Sequence, residues 1–329
     1  MNSIEKAIFD VVASGDFING KAVDLFTQSL SEYMECHVIP CGNGTDAIQI
    51  ALMALECEIG DEVIIPAFNY AASSEVCHLL GLKPVYCDVD YDFNIDVIKL
   101  EQHITTNTLA IIPTHLFGKP CNMKPILDIA DKYGVYVIED NAQSLGSEYM
   151  GRKCGSLGHI GITSFFPTKN LGGYGDGGAI FTKDYNLSKI IRCIANHGQM
   201  GKYNHMKVGV NSRLDSIQAA VLNEKLKHLD EYIQKRKSIG ELYNSLFWQD
   251  SNEIHTYNNY TITIEDRDDK FDRLVELGCR VYYPKPLYRQ PAYHKNVYLE
   301  NTERLCKSCI TIPMIDDNGE TAKKIIEII

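Results

Sequence analysis

Four short apolar runs recur about 25 residues apart: Glu62–Pro66 (EVIIP), Pro84–Asp88 (PVYCD), Leu109–Pro113 (LAIIP) and Val135–Asp140 (VYVIED). Between them lie amphipathic stretches such as Ala71–Leu80 and Ile95–Ile104. This spacing suits strand–helix–strand units. It predicts an α/β fold whose parallel sheet is covered on both faces, with short right-handed connections. Two further runs, Ile162–Phe166 and Ala179–Thr182, extend the sheet on either side of the glycine-rich loop Gly172–Gly178.

Beyond the sheet, Leu187–Ala195 reads as a helix. Arg213–Leu229 reads as one long helix, with Leu214, Ile217, Val221, Leu222, Leu226 and Leu229 on one face. The last third changes character. It reads as a charged helix at Glu231–Leu246, strands at Tyr260–Ile264, Arg280–Tyr283 and Ile310–Pro313, a helix at Asp269–Leu277 and another from Glu320. A chain of 329 residues has room for two domains. We place a large domain at 1–222 and a smaller α+β domain at 223–329, with the N-terminal segment free to pack on the smaller one.

Composition narrows the class. Hydrophobic residues at 45% and charged residues at 23% exclude a mainly disordered or coiled-coil chain. A net charge of −11 opposes nonspecific binding to nucleic acid or anionic membranes, and neither is expected as a partner. With no visible signal peptide and no apolar stretch near the ~20 residues a membrane span requires, a soluble cytoplasmic protein is expected. The 11 cysteines are odd in number and scattered, which fits reduced thiols. Cys306 and Cys309 form a lone C-x-x-C with no second pair nearby, so no metal site is expected.

Three segments carry candidate chemistry. In Cys41-Gly42-Asn43-Gly44-Thr45-Asp46-Ala47, glycines precede a helix start whose free N–H groups suit a phosphate, with the Thr45 hydroxyl in support. An ordinary capped turn is the alternative. So is the G-x-G-x-x-A dinucleotide motif of an NAD-dependent oxidoreductase. The next strand, however, ends in Pro66-Ala67-Phe68 and lacks the acidic residue that motif expects. In Glu139-Asp140-Asn141-Ala142-Gln143, Asp140 stands at a strand's C-terminal end, where open α/β sheets bind ligands. A buried carboxylate there needs a cationic partner such as a pyridinium nitrogen; a turn-capping Asp is the alternative. In Ser164–Leu171, Lys169 leaves an apolar strand for a loop with five glycines among seven residues. A desolvated lysine there can form a Schiff base; a solvated lysine on a flexible hairpin is the alternative.

Taken together, these residues resemble the DegT/DnrJ/StrS family of sugar aminotransferases, pyridoxal-phosphate enzymes of fold type I. The resemblance spans essentially the whole chain. It is carried by the Gly44–Ala47 turn, Ile138–Ser156, Ser164–Thr182 and His197–Leu222, with the lysine segment the most diagnostic. It implies an aspartate-aminotransferase-like fold, with a mostly parallel sheet in the large domain, and pyridoxal 5'-phosphate as cofactor. Lys169 would be the Schiff-base lysine and the base that moves a proton between substrate and cofactor. Asp140 would pair with the ring nitrogen and Gln143 would lie beside the ring. Gly44, Thr45 and Ser164 would hold the phosphate, and Tyr70 would stack on the ring.

The same resemblance places Asn211-Ser212-Arg213 in the neighbouring subunit's site. A homodimer would then share its active sites, with Asn211 on the phosphate and Arg213 meeting a carboxylate; a plain helix start is the alternative. L-Glutamate would be the donor and a nucleotide-linked keto sugar the acceptor. Relatives with dehydratase activity carry His at the lysine position, so Lys169 argues for transamination. Phe68–Ala72 and His197–Leu222 are most similar to the subgroup acting on UDP-linked 3-keto sugars, including the N-acetylglucosaminuronate. That subgroup serves cell-surface polysaccharide pathways such as O-antigen and lipopolysaccharide. A 4-keto-6-deoxy acceptor of the perosamine or viosamine type is the alternative. Tyr282-Tyr283-Pro284 replaces a common His-Tyr-Pro, and the region Asp250–Tyr257 is short. Tyr282, Tyr283, Lys285 and Arg289 are the candidate groups on the sugar side, with a solvated basic loop as the alternative for Lys285 and Arg289.

Overall fold

The apolar runs become strands, and their alternate side chains are buried on both faces. The computed structural model describes residues 2–249 and 254–329; residues 250–253 of the short Asp250–Tyr257 region lie outside them. In chain order the large unit contains α1 (Ser3–Ser14), α2 (Lys21–Met34), β1 (His37–Cys41), α3 (Gly44–Ala54), β2 (Glu62–Pro66), α4 (Ala72–Leu79), β3 (Lys83–Cys87), α5 (Val97–Leu100), β4 (Thr108–Ile111), α6 (Met123–Tyr133) and β5 (Tyr136–Asp140). A short hairpin, β6 (Glu148–Tyr149) and β7 (Arg152–Lys153), precedes β8 (Ile160–Ser164), β9 (Gly178–Thr182), α7 (Tyr185–Ala195) and α8 (Ser216–Leu226). Then come α9 (Leu229–Phe247), β10 (Tyr260–Thr263), α10 (Arg267–Glu276), α11 (Glu300–Ser308), β11 (Cys309–Ile312) and α12 (Glu320–Ile326).

The main sheet has seven strands in the order β1-β9-β8-β5-β4-β2-β3. β8, β5, β4, β2 and β3 pair in parallel, while β9 runs antiparallel to both β8 and β1. Within β2, Val63 and Ile65 join the core that includes α3 and α4, and Ile64 joins the opposite core with α6. That alternation explains why the runs are apolar without interruption. Along this edge stand the C-terminal ends of β2, β4, β5 and β8, and the strand order reverses between β2 and β4. A crevice opens where the order reverses.

Three expectations are corrected. The stretch Arg213–Leu229 is two helices with a break at Lys227-His228. It read as one because Leu214, Leu222, Leu226 and Leu229 all pack into the same core beside α2. Helix α8 starts only at Ser216, with the Asp215 side chain accepting the Gln218 N–H at 2.8 Å, so neither Asn211 nor Ser212 is its cap. The strand expected at Arg280–Tyr283 reduces to a single bridge, Arg280 to Thr311, after which the chain leaves the sheet and carries Tyr283 into the aromatic cluster around Phe68.

The N-terminal helices α1 and α2 lie against α8. The β10–β11 pair forms a second core with Tyr243 and Phe247 of α9, Leu274 of α10 and Ile325 of α12, whereas Leu229 and Ile233 at the start of α9 belong to the large unit's core. Among the described residues no helix is long and apolar enough to cross a membrane.

Candidate active site

The ligand-facing edge gathers the three candidate segments. At the β1–α3 turn, Asn43 caps α3 by accepting the Asp46 N–H at 2.8 Å. Helix geometry leaves the N–H groups of Gly44 and Thr45 without acceptors inside the helix. Gly44 lies against the end of β8: a Cβ at Gly44 would stand 2.9 Å from the Ser164 Cβ. Gly178 packs as closely on the turn, its added Cβ meeting the Asn43 carbonyl carbon at 2.5 Å. Gly44 and Ser164 therefore stand side by side, with Thr45 next along the helix start. The strand feeding it, β1, is the sheet's edge, beside an antiparallel neighbour. That is not the central parallel strand on which a dinucleotide motif sits.

Asp140 ends β5 and is only 8% exposed. Its Oδ1 accepts the Ala142 N–H at 3.1 Å and its Oδ2 accepts the Thr114 hydroxyl at 3.3 Å. Burial raises its pKa; the Ala142 N–H, the nearby Lys169 and His115, and the Thr114 hydroxyl pull the other way. Lys169 shows the mirror effect. Desolvation lowers its pKa, and Asp140 opposes the shift. The lysine loop is tied down rather than flexible: the Lys169 N–H donates to the Phe166 carbonyl at 2.9 Å, and the Gly173 N–H to that of Phe165 at 2.8 Å. Asn170 Nδ2 donates to the Leu145 carbonyl at 3.0 Å.

Gln143 has a fixed amide. Its Oε1 accepts the Phe117 N–H at 2.9 Å, so Nε2 points to Tyr283 and donates to its phenol oxygen at 3.2 Å. Burial pushes the Tyr283 phenol well above its ordinary range. Tyr70 is 61% exposed, with its ring 6.4 Å from that of Tyr283, whereas Phe68 is a buried core aromatic. Tyr282 and Lys285 are exposed. Arg289 is exposed as well, its Nε donating to Glu303 at 2.9 Å.

Ser212 reaches the β1–α3 turn of its own chain. Its hydroxyl accepts the Gly42 N–H at 2.9 Å and donates to Asp46 Oδ2 at 2.6 Å. Asn211 is exposed beside it, and Arg213 donates to Asn196 Oδ1 at 3.4 Å. The C-x-x-C thiols are buried: that of Cys309 donates to the Tyr282 carbonyl at 3.4 Å, and burial raises its pKa to about 11.

Sequence reasoning passed over Asn69, Thr114 and His115. The signal was available, because Thr114 and His115 directly follow the run Leu109–Pro113, at the same sheet edge as Asp140.

A doubly covered sheet that gathers a glycine-built helix start, a buried carboxylate and a half-buried lysine of lowered pKa at one edge suits an enzyme built around an anionic, ring-bearing cofactor. The sequence profile of the DegT/DnrJ/EryC1/StrS aminotransferase family matches residues 1–329, and the chain belongs to that family. It is 44% identical over 303 residues to a UDP-2-acetamido-2-deoxy-3-oxo-D-glucuronate aminotransferase of Pseudomonas aeruginosa, covering 88% of this chain and 84% of that one. A UDP-N-acetyl-3-dehydro-alpha-D-glucosamine 3-aminotransferase of Acidithiobacillus ferrooxidans is 37% identical over 314 residues, covering 92% and 85%. Among solved structures, NtdA of Bacillus subtilis with bound cofactor PMP superposes with a TM-score of 0.91 at 29% identity, covering 98% of this chain and 80% of that one.

Proposed function

We propose that this sugar aminotransferase moves an amino group from L-glutamate to the 3-keto position of a UDP-linked sugar of the uronate type, on the way to a cell-surface polysaccharide such as O-antigen. The observation that carries this reading is the coupled pair at the sheet edge, a buried Asp140 and a desolvated Lys169 beside a glycine-built helix start. The closeness of the match to the P. aeruginosa 3-oxo-glucuronate enzyme supports the choice of acceptor.

The residues fit pyridoxal phosphate. Gly44 and Thr45 offer N–H groups, and Thr45 and Ser164 offer hydroxyls, for its phosphate. Asp140, buried and without an ion pair among the described residues, suits the proton on its ring nitrogen. Tyr70 is free to cover the ring, and Gln143 is held beside it by Phe117. When bound, the cofactor supplies an aldehyde carbon that takes the amino group and a ring that absorbs the electron pair left by the departing Cα proton. Lys169 takes that proton on Nζ and returns it. Its lowered pKa favours the neutral amine this requires. Tyr282, Tyr283, Lys285 and Arg213 are the groups we assign to the sugar side.

The test is a transamination assay with glutamate against UDP-linked 3-keto sugars and 4-keto-6-deoxy nucleotide sugars. We expect turnover of the 3-keto uronate. Lys169→Ala should lose the visible absorbance of the cofactor-bound protein together with turnover. Turnover of 4-keto acceptors alone would overturn the substrate assignment, and a colourless wild type that ignores pyridoxal phosphate would overturn the rest.

A further inference from the structure

We propose that Thr114, oriented by Asn69, is a positioning residue whose single hydroxyl proton holds the Asp140 carboxylate ionised and fixed in orientation for the cofactor's ring nitrogen. This rests on the assignment of Asp140 to that nitrogen made above.

The argument starts from topology. The strand order reverses between β2 and β4, so the residues leaving these two strands face each other across the crevice. Asn69 follows β2 and Thr114 follows β4, and both are buried. Asn69 Nδ2 donates to the Thr114 hydroxyl oxygen at 2.7 Å, and that hydroxyl reaches Asp140 Oδ2 at 3.3 Å. The direction of this chain is fixed at both ends. Asn69 Oδ1 accepts the Tyr70 N–H at 2.8 Å, which leaves only the NH₂ group to face Thr114. A hydroxyl that accepts there has one proton left to give, and the carboxylate is its acceptor. With Oδ1 taking the Ala142 N–H, each carboxylate oxygen receives a donor, and donors to the charged form oppose the cost of burial.

The other titratable groups near Asp140 act on it through space, and among the described residues none of them hydrogen-bonds its carboxylate. His115 Nδ1 accepts the Cys121 N–H at 3.0 Å, which leaves Nε2 to donate to Glu139 at 3.0 Å. Glu139 is further bound by the N–H groups of Gly155, Leu157 and Gly158 at 2.6–2.8 Å. Lys169 is reserved for proton transfer, and the Tyr283 phenol accepts from Gln143. Side chains that alternate at the exit of β4 thus serve two carboxylates of β5: Thr114 serves Asp140, and His115 serves Glu139.

The test reads the cofactor's spectrum rather than turnover. A protonated ring lowers the proton affinity of the Lys169 nitrogen attached to the cofactor, so the pH midpoint of the visible absorbance reports how firmly Asp140 keeps the ring proton. Thr114→Val should move that midpoint upward by about one pH unit. Thr114→Ser should titrate with the wild type. Asn69→Leu, which leaves the hydroxyl in place but unanchored, should move it the same way by less. Asp140→Ala is the control and should give the largest upward shift; if it leaves the midpoint unchanged, the assignment of Asp140 itself fails. If Asp140→Ala shifts the midpoint while Thr114→Val does not, or if Val and Ser at 114 behave alike, the role given to Thr114 is overturned. Should Thr114→Val not fold, an Asn69→Leu protein that titrates as the wild type overturns it equally.

Discussion

Gly44 shows what a single missing carbon does in this site. Its neighbour is the Ser164 Cβ, an atom with no flexible end to swing away, and an added Cβ would meet it at 2.9 Å. Gly44→Ala must therefore push the start of α3 off the end of β8 and spread the groups we assign to the phosphate. Overpacking of this kind costs about 1–3 kcal/mol. We expect an order-of-magnitude loss of affinity for pyridoxal phosphate, measured by equilibrium dialysis. Gly42→Ala is the comparison: its Cβ would meet the side-chain ends of Asp46 and Ser212 at 3.2 Å and the Arg213 backbone nitrogen at an ordinary 3.9 Å, and its effect should be smaller. Equal affinities in the two variants would contradict this account. At this scale the sequence was informative where chemistry and position coincide. Lys169 and Asp140 are unusual residues for the ends of apolar strands. Thr114 and Asn69 are ordinary turn residues; position marks Thr114 as a strand exit, but their pairing arises only from the crevice that brings two distant strand exits together.

Among the elements, β3 and α11 are joined through one carboxylate. Asp88 follows β3 and is buried. Its oxygens accept from Lys99 Nζ at 2.9 Å, from the Val89 N–H at 3.0 Å, and from the N–H and hydroxyl of Thr302, both at 2.9 Å. It thereby caps α11, whose own N-cap, Leu299, has no side chain able to do so. Burial works to raise the Asp88 pKa, but the donors from Lys99, Thr302 and Val89 prevail and lower it. The sign follows. A carboxyl with a depressed folded pKa contributes stability above its unfolded value, and that stability is lost as pH falls through the folded value. Asp88→Asn should cost about 2 kcal/mol at neutral pH, measured by urea denaturation. The gap to the wild type should close as pH drops below about 4. A gap constant across that range would refute the cap. The same element shows why periodicity alone falls short. The helix α11 and the Asp88 that caps it are remote in sequence, just as α8 and α9 merged into one pattern because they share a core.

For the whole molecule, the question is whether one chain holds a complete site. The segment 198–208 carries Met200, Tyr203, Met206 and Val208, all exposed, and leads directly to the exposed Asn211. Apolar side chains gathered on one protruding segment suit an interface, and a closed dimer is the commonest assembly that would cover them. We infer that a second copy does so and that Asn211 serves the partner's phosphate rather than its own, even though Ser212 next to it touches the β1–α3 turn of its own chain. Complementation separates the two arrangements. Lys169→Ala removes the lysine of one site; Asn211→Asp sets a negative charge against the phosphate of whichever site it serves. If the sites are shared, a mixed dimer of the two variants contains one site with both substitutions and one with neither. Equal amounts of the two chains, denatured and refolded together, should then regain roughly a quarter of wild-type activity by random pairing, although Lys169→Ala alone has none and Asn211→Asp alone has little. If Asn211 served its own chain, every site in the mixture would carry one of the two substitutions, and activity would stay at the average of the separate variants.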